Sequence, residues 1–415
     1  MSTAEAVLDR VETTPEAVAP EELMQRLLAF DPVGMPVISL YLDARVDQQG
    51  KHQFLTFARK QLADRGKSYS PHSAERESFE EDFVRIVRYL ENGVPTSAQG
   101  LAIFACSAAN DYFEVGLFDA PFERNRLFVY NQPHLYPLAR LIDHYRRYAV
   151  VLANTNRAQI FVFAAARTID RHGLENLTTK RADVGGWVQS RYHRHDENCY
   201  LLHANEIIKM LERTVAEDAV ENIILAGDQE TVIPILQQRM PKALSDMVID
   251  VLSLGINTAE QEVLEQSLEA FRTHDRLTDM QKVEELLSEY RADNLAVAGV
   301  PETLAALSNG QAQEMLIAAS PQSLQYDKAE VEKVFSMYGG HRETMPVLDR
   351  NTIADELVRR AKELSAARIT FVEDATRLAQ LGGVGALLRY RISAESAAPY
   401  EDPRATPRAE ALIET

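Results

Sequence analysis

Cysteine is almost missing from this chain. Its 415 residues hold only Cys106 and Cys199, too few for a disulfide framework or a four-sulfur zinc site, and a reducing compartment is the simplest setting. Tryptophan occurs once, at Trp187. No run of about 18 consecutive apolar residues is present, which leaves no candidate membrane span. Residues 1–20 are acidic and alanine-rich, without the basic start and apolar centre of a secretory signal, so a cytoplasmic location is the default expectation. Positive charge is scarce too: 44 Lys and Arg face 62 Asp and Glu, a formal net charge of -18. Such a chain does not coat nucleic acid indiscriminately, and any contact with it should be local. The sequence also has no P-loop, no His-Glu-x-x-His and no Gly-x-Ser-x-Gly nucleophile elbow.

What remains is ordinary globular material, 46% hydrophobic and 26% charged, long enough for two or three domains. Residues 1–20 read as a flexible leader. Residues 21–147 read as an α+β unit: helices near 21–28, 54–64, 74–91 and 137–147, and strands at 37–42, 100–106, 112–118 and 126–130. In the strand 37–42, apolar residues alternate through Ser39 and Tyr41. Residues 148–273 read as a mixed α/β unit. Its expected strands are 148–153, 158–163, 222–226 and 248–252, and its helices 190–216, 231–244 and one reaching Phe271. Thr258 to Gln261 has the spacing of a capping box for that last helix. Residues 274–393 repeat the alternation, with helices at 280–290, 304–307 (Pro301 well placed at its start) and 352–365. Strands are expected at 295–300, 314–319 and 368–372, and 320–350 reads as a polar insertion. The tail 394–415 has a disordered composition.

The most unusual stretch is 180–195. From Lys180 to Arg194 there are four fixed cations, Lys180, Arg181, Arg191 and Arg194, against the single acid Asp183. Gly185 and Gly186 sit in the middle, followed by Trp187, Val188 and Gln189. Paired glycines open backbone conformations closed to other residues, so a solvent-reaching turn is expected. A cationic loop on an acidic protein suits a phosphate-rich partner that the remaining surface would repel. Arg191, Arg194 and His195 fall on one helical face beside Trp187. An aromatic group plus clustered cations is the usual equipment for an unpaired nucleic-acid strand. The plainer reading is a connection with surface decoration, against which stands the exposure of a large apolar ring.

Two other constellations carry less. His195, Cys199 and His203 lie at i, i+4 and i+8 of a helix, but the outer pair is about 12 Å apart, too far to share one zinc. No metal is assigned, and a structural role is favoured. The run 383–388 opens like a dinucleotide fingerprint, with Leu388 where a third glycine or alanine belongs and no βαβ unit after it. Close packing of a strand accounts for it better.

The segment 185–191 and the run 381–390, within the three-unit layout, resemble the bacterial release-factor-like branch of the archaeal and eukaryotic class-1 peptide chain release factor superfamily, the group of Pelota, Vms1-type and Balon relatives. The resemblance covers most of 148–392 and is weakest before it. It implies an RNase H-like middle domain and an L7Ae-like α/β/α carboxy-terminal domain. It further implies a tRNA-shaped factor in the ribosomal A site, with the middle-domain loop directed at the peptidyl transferase centre. Partners would be the ribosome, through rRNA and the peptidyl-tRNA acceptor end, with a translational GTPase as a candidate for delivery. No cofactor, membrane or DNA is implied. Carried over residue by residue, Gly185 and Gly186 would shape the tip and Gln189 would position the water that attacks the peptidyl ester. Lys180, Arg181, Trp187, Arg191, Arg194 and His195 would hold RNA.

This chain departs from the release factors in two ways. Trp187 and Val188 separate the glycines from Gln189, a spacing closer to the Vms1-type and bacterial variants. The Asn-Ile-Lys-Ser motif of stop-codon reading is absent as well. Ordinary termination is therefore not expected. Peptidyl-tRNA hydrolysis during ribosome rescue and non-catalytic occupancy during hibernation both stay open. From other classes, a metabolite-binding or scaffolding α/β protein remains, as does an RNA nuclease. Against the nuclease, the expected strands carry Val150, Val151, Ile160 and Val162 where acidic metal ligands would be needed.

Overall fold

The computed structural model describes residues 20–47, 49–118, 120–144, 146–164, 167–175, 189–338 and 348–391, with the side chains of 164, 167–170, 175 and 189–199 outside that description. The protein has three mixed helix-and-sheet units, each on its own sheet. In the first, α1 (Pro20–Ala29), β1 (Val37–Asp43), α2 (Phe54–Gly66) and α3 (Ala74–Asn92) precede β2 (Gly100–Cys106), β3 (Tyr112–Phe118) and β4 (Arg126–Tyr130). The strands form an antiparallel sheet in the order β3-β2-β1-β4. One face of β1 sends Ile38, Leu40 and Leu42 into a core with Phe54, Phe79 and Ile86 of α2 and α3. The alternation through Ser39 and Tyr41 does not mark a wet face. Both are buried, and both bind the backbone of His134: the Ser39 hydroxyl accepts its N–H at 3.0 Å, and the Tyr41 hydroxyl donates to its C=O at 2.5 Å.

That second face is covered by α1, by α4 (Tyr136–His144) and by the third unit, all in one apolar cluster. The middle unit comprises β5 (Tyr148–Ala153), β6 (Arg157–Ala164), β7 (Arg167–Glu175), α5 (Gln189–Glu217), β8 (Asn222–Gly227), α6 (Val232–Arg239), α7 (Lys242–Ser245) and β9 (Val248–Leu252). Its sheet order is β7-β6-β5-β8-β9, with β5-β6-β7 an antiparallel meander and β5-β8-β9 parallel. Ala149, Val151, Ile160 and Leu225 meet Ala204, Ile207 and Leu211 of α5 on one face. Tyr148, Val150, Phe161 and Ile224 meet Val263 and Phe271 on the other.

Val263 and Phe271 of that second cluster belong to α8 (Glu260–Arg291), a single 32-residue helix that continues into the third unit. There it packs Val283, Leu286 and Leu287 beneath a sheet of order β10-β13-β11-β12. Those strands are β10 (Ala296–Ala298), β11 (Ala312–Ala318), β12 (Arg368–Val372) and β13 (Val384–Leu388). The other side is covered by α9 (Val300–Ser308), α10 (Lys328–Tyr338) and α11 (Arg350–Glu363), with Leu304, Val331 and Leu357 buried against Met315 and Ile317. The result is an α/β/α arrangement, completed by the short α12 (Thr376–Ala379).

Several local expectations change. The helices expected to reach Phe271 and to begin at 280 are one, because 272–279 contain neither glycine nor proline and nothing stops the first. Thr258 is not its cap; Ala259 holds that position without a side-chain bond. The helix expected over 231–244 breaks at Met240, with Pro241 just before α7. The polar insertion contains α10, and its last described residues start α11, where Asp349 and Thr352 form a capping box. The run 383–388 is a turn entering β13. Gly383 has φ +82, and a Cβ on Gly385 would meet Leu286 at 2.7 Å, so its glycines serve packing rather than a dinucleotide.

Candidate functional site

The segment 180–195 falls in sequence between β7 and the first turns of α5, so the described residues on either side of it are those at one end of the middle sheet and along that helix. The β5–β6 turn closes on Asn154, whose Oδ1 accepts the N–H groups of Asn156 and Arg157 at 2.9 and 2.8 Å. The last residue of β7, Glu175, pairs with Arg157 beside that turn. The chain therefore leaves the sheet at the end where the parallel strands finish, with Ala153 of β5 opposite Gly227 of β8. That edge is tightly built. Gly227 has φ +128, and a Cβ there would fall 1.9 Å from the Ala153 carbonyl oxygen. The Asp228 N–H donates to the same oxygen at 3.0 Å.

The return path is α5. Its 29 residues span about 44 Å, against about 20 Å for the six residues of β5, so the helix cannot lie wholly on the sheet. Among the described side chains of α5, which start at Tyr200, the fully buried ones begin at His203 and Ala204 and continue through Ile207 and Leu211. Gln189 stands fourteen positions before His203, which places it about 21 Å further along the helix axis. The backbone of α5 thus begins well before its first fully buried described side chain. The amides of the opening turn of α5, from Gln189 on, form the amino-terminal end of the helix dipole. They give that end a partial positive charge suited to phosphate or a developing oxyanion.

His203 anchors α5. It is completely buried, and among the described residues neither ring nitrogen has a partner within hydrogen-bonding geometry, the backbone of Asn154 and Arg157 being the nearest polar surroundings. Burial holds its pKa below the usual histidine value, while the nearby backbone of Asn154 and Arg157 pulls the other way. A neutral ring wedged beneath the β5–β6 turn is a spacer. Among the described residues no group of His, Cys, Asp and Glu is arranged to hold a metal ion.

Of the residues singled out by sequence, Lys180, Arg181, Gly185, Gly186 and Trp187 lie outside the described residues. Gln189, Arg191, Arg194 and His195 lie on α5, where only the backbone is described. Gln189 is the first residue of the helix rather than part of the loop before it. The sequence reading missed β7, whose Arg167-Thr-Ile-Asp-Arg-His-Gly-Leu-Glu175 lacks apolar alternation because it is an edge strand. It also missed the junction at the base of the unit. There Tyr148 stacks on Phe271 at 4.8 Å, within a cleft of about 440 Å³ that Asp143, Arg146, Asp275 and Asp279 also line. The one available signal was charge recurring at i, i+4 on α8, which reads equally well as a solvated face.

A five-stranded sheet with a 3-2-1-4-5 order, three antiparallel strands and then parallel ones, defines an RNase H-like middle unit. Residues 133–272 match the model of the bacterial archaeo-eukaryotic release factor family 10, so the chain is similar to that family over its middle unit. Among solved structures, Saccharomyces cerevisiae Dom34, a translation termination-like factor, is 12% identical over 71% of this chain and 87% of its own, with a TM-score of 0.39. Archaeoglobus fulgidus Pelota is 15% identical over 71% and 80%, with a TM-score of 0.29. The archaeal translation termination factor aRF1 is 15% identical over 90% and 99%, with a TM-score of 0.25. No curated protein matches the chain.

Proposed function

We propose that the protein is a ribosome-associated translation factor that occupies the A site as a tRNA-shaped body, its middle unit carrying 180–195 toward the peptidyl transferase centre. The observation that carries this reading is the length of α5: its first residue, Gln189, lies within the cationic, tryptophan-bearing stretch 180–195 and stands about 21 Å along the helix axis from buried His203, in a protein of net charge -18. A local cluster of cations on an anionic chain suits RNA phosphates. The family match includes this whole segment. One of the similar structures is a model of ribosome-bound archaeal Pelota and ABCE1.

In this reading Arg191 and Arg194 hold rRNA or the acceptor end, and Gly185 and Gly186 let the tip turn. Gln189 and the amides of the helix start face the ester. A glutamine amide beside backbone N–H groups can orient a water and stabilise an oxyanion, which is the chemistry of peptidyl-tRNA hydrolysis. A second reading, occupancy without hydrolysis, draws on the position of Gln189 inside α5, with two residues between it and the glycines. A side chain on a helix has less freedom to follow the ester than one on a loop.

The test is cosedimentation with purified ribosomes over a salt series, followed by release of labelled peptide from stalled complexes. Binding that weakens steeply with salt supports the A-site reading. Release abolished by Gln189→Ala with binding retained supports the hydrolase. Binding without release on any complex supports occupancy. No cosedimentation at low salt points to the metabolite-binding or scaffolding alternative.

A further inference from the structure

Where the first unit meets α4 and the third unit, a cleft of about 90 Å³ opens beside β4, with Arg124, Arg126 and Arg140 and, among the described residues, the single acid Glu123 on it and Phe122 and Tyr136 in its walls. Three arginines on one small cleft run against the charge of the whole chain. Arg140 has its acids: its guanidinium bridges Glu123 at 2.6 Å and Glu373 at 2.9 Å. Among the described residues Arg124 and Arg126 have none: neither side chain makes a hydrogen bond or ion pair with one of them. Glu123 feels the field of Arg126 but spends its own oxygens on Arg140.

Arg126 is half-buried and Arg124 exposed. A guanidinium taken partly out of water normally finds an acceptor that matches its planar fork. The Arg126 backbone is fixed by pairing with Tyr41 across β1. The residue between the two arginines is fixed as well, because Asn125 Oδ1 accepts the Asp43 N–H at 2.8 Å. The backbone at Arg126 is therefore held by strand pairing and that of Asn125 by its side-chain bond, which sets the positions of both cations at one edge ahead of any ligand. Arg126 also acts inward: with burial as the larger cause, it helps push the pKa of His134 down to about 3.

We infer that this cleft binds a phosphate group, gripped by the guanidinium forks of Arg126 and Arg124. The volume suits one phosphate and is well below the roughly 300 Å³ at which pockets begin to enclose drug-sized molecules. The rest of the ligand, whether an RNA chain or a small phosphorylated molecule, would lie outside. The inference does not depend on ribosome binding.

The test uses the full chain at low salt, with inorganic phosphate followed by phosphorus NMR line broadening and a labelled single-stranded RNA oligonucleotide followed by anisotropy. Wild type is expected to broaden the phosphate signal, and R124Q/R126Q to weaken binding about tenfold with an unchanged melting midpoint. Arg124→Gln alone, at an exposed position, is expected to weaken it about threefold and guards against loss of fold in the double variant. RNA affinity falling in parallel assigns the ligand to a nucleic-acid backbone; loss confined to inorganic phosphate assigns it to a free phosphorylated molecule, and the site stands in both cases. No broadening by wild type, or equal broadening by all three proteins, overturns the inference.

Discussion

Asp355 on α11 caps the start of α4: its Oδ1 accepts the N–H of Tyr136 at 3.0 Å and also that of Leu135. The two partners are more than 200 residues away in sequence, so a helix of the third unit supplies the cap for the helix that leaves the first. Around this point Arg359 donates to the Pro133 carbonyl at 3.2 Å, and the Tyr136 hydroxyl donates to the Ala318 carbonyl at 2.6 Å. The Phe371 N–H donates to Asp143 at 2.8 Å, which satisfies the open edge of β12. The first and third units are thereby joined through polar groups as well as a shared core.

Removing that cap should be costly. Asp355→Ala leaves two buried amides without an acceptor, and a loss of about 2–4 kcal/mol is expected in denaturant unfolding. Asp355→Asn keeps an acceptor oxygen, so a loss of about 1 kcal/mol or less is expected.

The carboxylate cluster at the base of the middle unit should give a pH-dependent stability. Burial first, then the charges of Asp275 and Asp143, push the Asp279 pKa up to about 7. A carboxyl whose folded value lies above its unfolded value stabilises the fold below about pH 4 and loses that contribution as pH rises toward 7. Asp279→Asn should flatten this part of the profile and raise stability at pH 7 and above. Because the group is partly solvated, the gain should be about 1 kcal/mol. Melting midpoints at pH 5 and pH 8 for the two proteins check the sign.

At the edge where the segment departs, Gly227→Ala places a methyl group against the Ala153 carbonyl in a backbone conformation closed to alanine. A loss of about 2–4 kcal/mol is expected, with hydrogen exchange quickening first in β5 and β8.

R191A/R194A should leave melting unchanged and weaken ribosome cosedimentation. The slope of log affinity against log salt should fall by about 2, one for each phosphate no longer neutralised. An unchanged slope would separate α5 from RNA.

Much of the architecture could be read from periodicity because strands such as β5 and β8 are buried on both faces and appear as unbroken apolar runs, Tyr148 to Ala153 and Ile223 to Ala226. β7 escaped for the opposite reason: an edge strand needs only pairing on one side, and its polar residues look like loop. The continuity of α8 was hidden because its middle, 272–279, crosses between units and has no single apolar face to display. The capping of α4 by Asp355 could not be seen at all, since an interaction across more than 200 residues leaves no local pattern. For the candidate site, composition singled out a basic island in an acidic chain. That α5 starts well before its first buried described side chain came only from the structure. The Arg124 and Arg126 cleft was equally silent, two cations in a charged turn whose neighbouring acid, Glu123, is taken up by Arg140, a fact of three dimensions.

The central claim is that the tip before α5 meets RNA at the peptidyl transferase centre, and a photo-crosslinker installed in place of Trp187 tests it most directly on purified ribosomes. The expected result is crosslinking to large-subunit rRNA of that centre or to the acceptor end of tRNA, abolished when Arg191 and Arg194 are replaced. Crosslinks only to this chain itself, or to ribosomal sites remote from that centre, would contradict it.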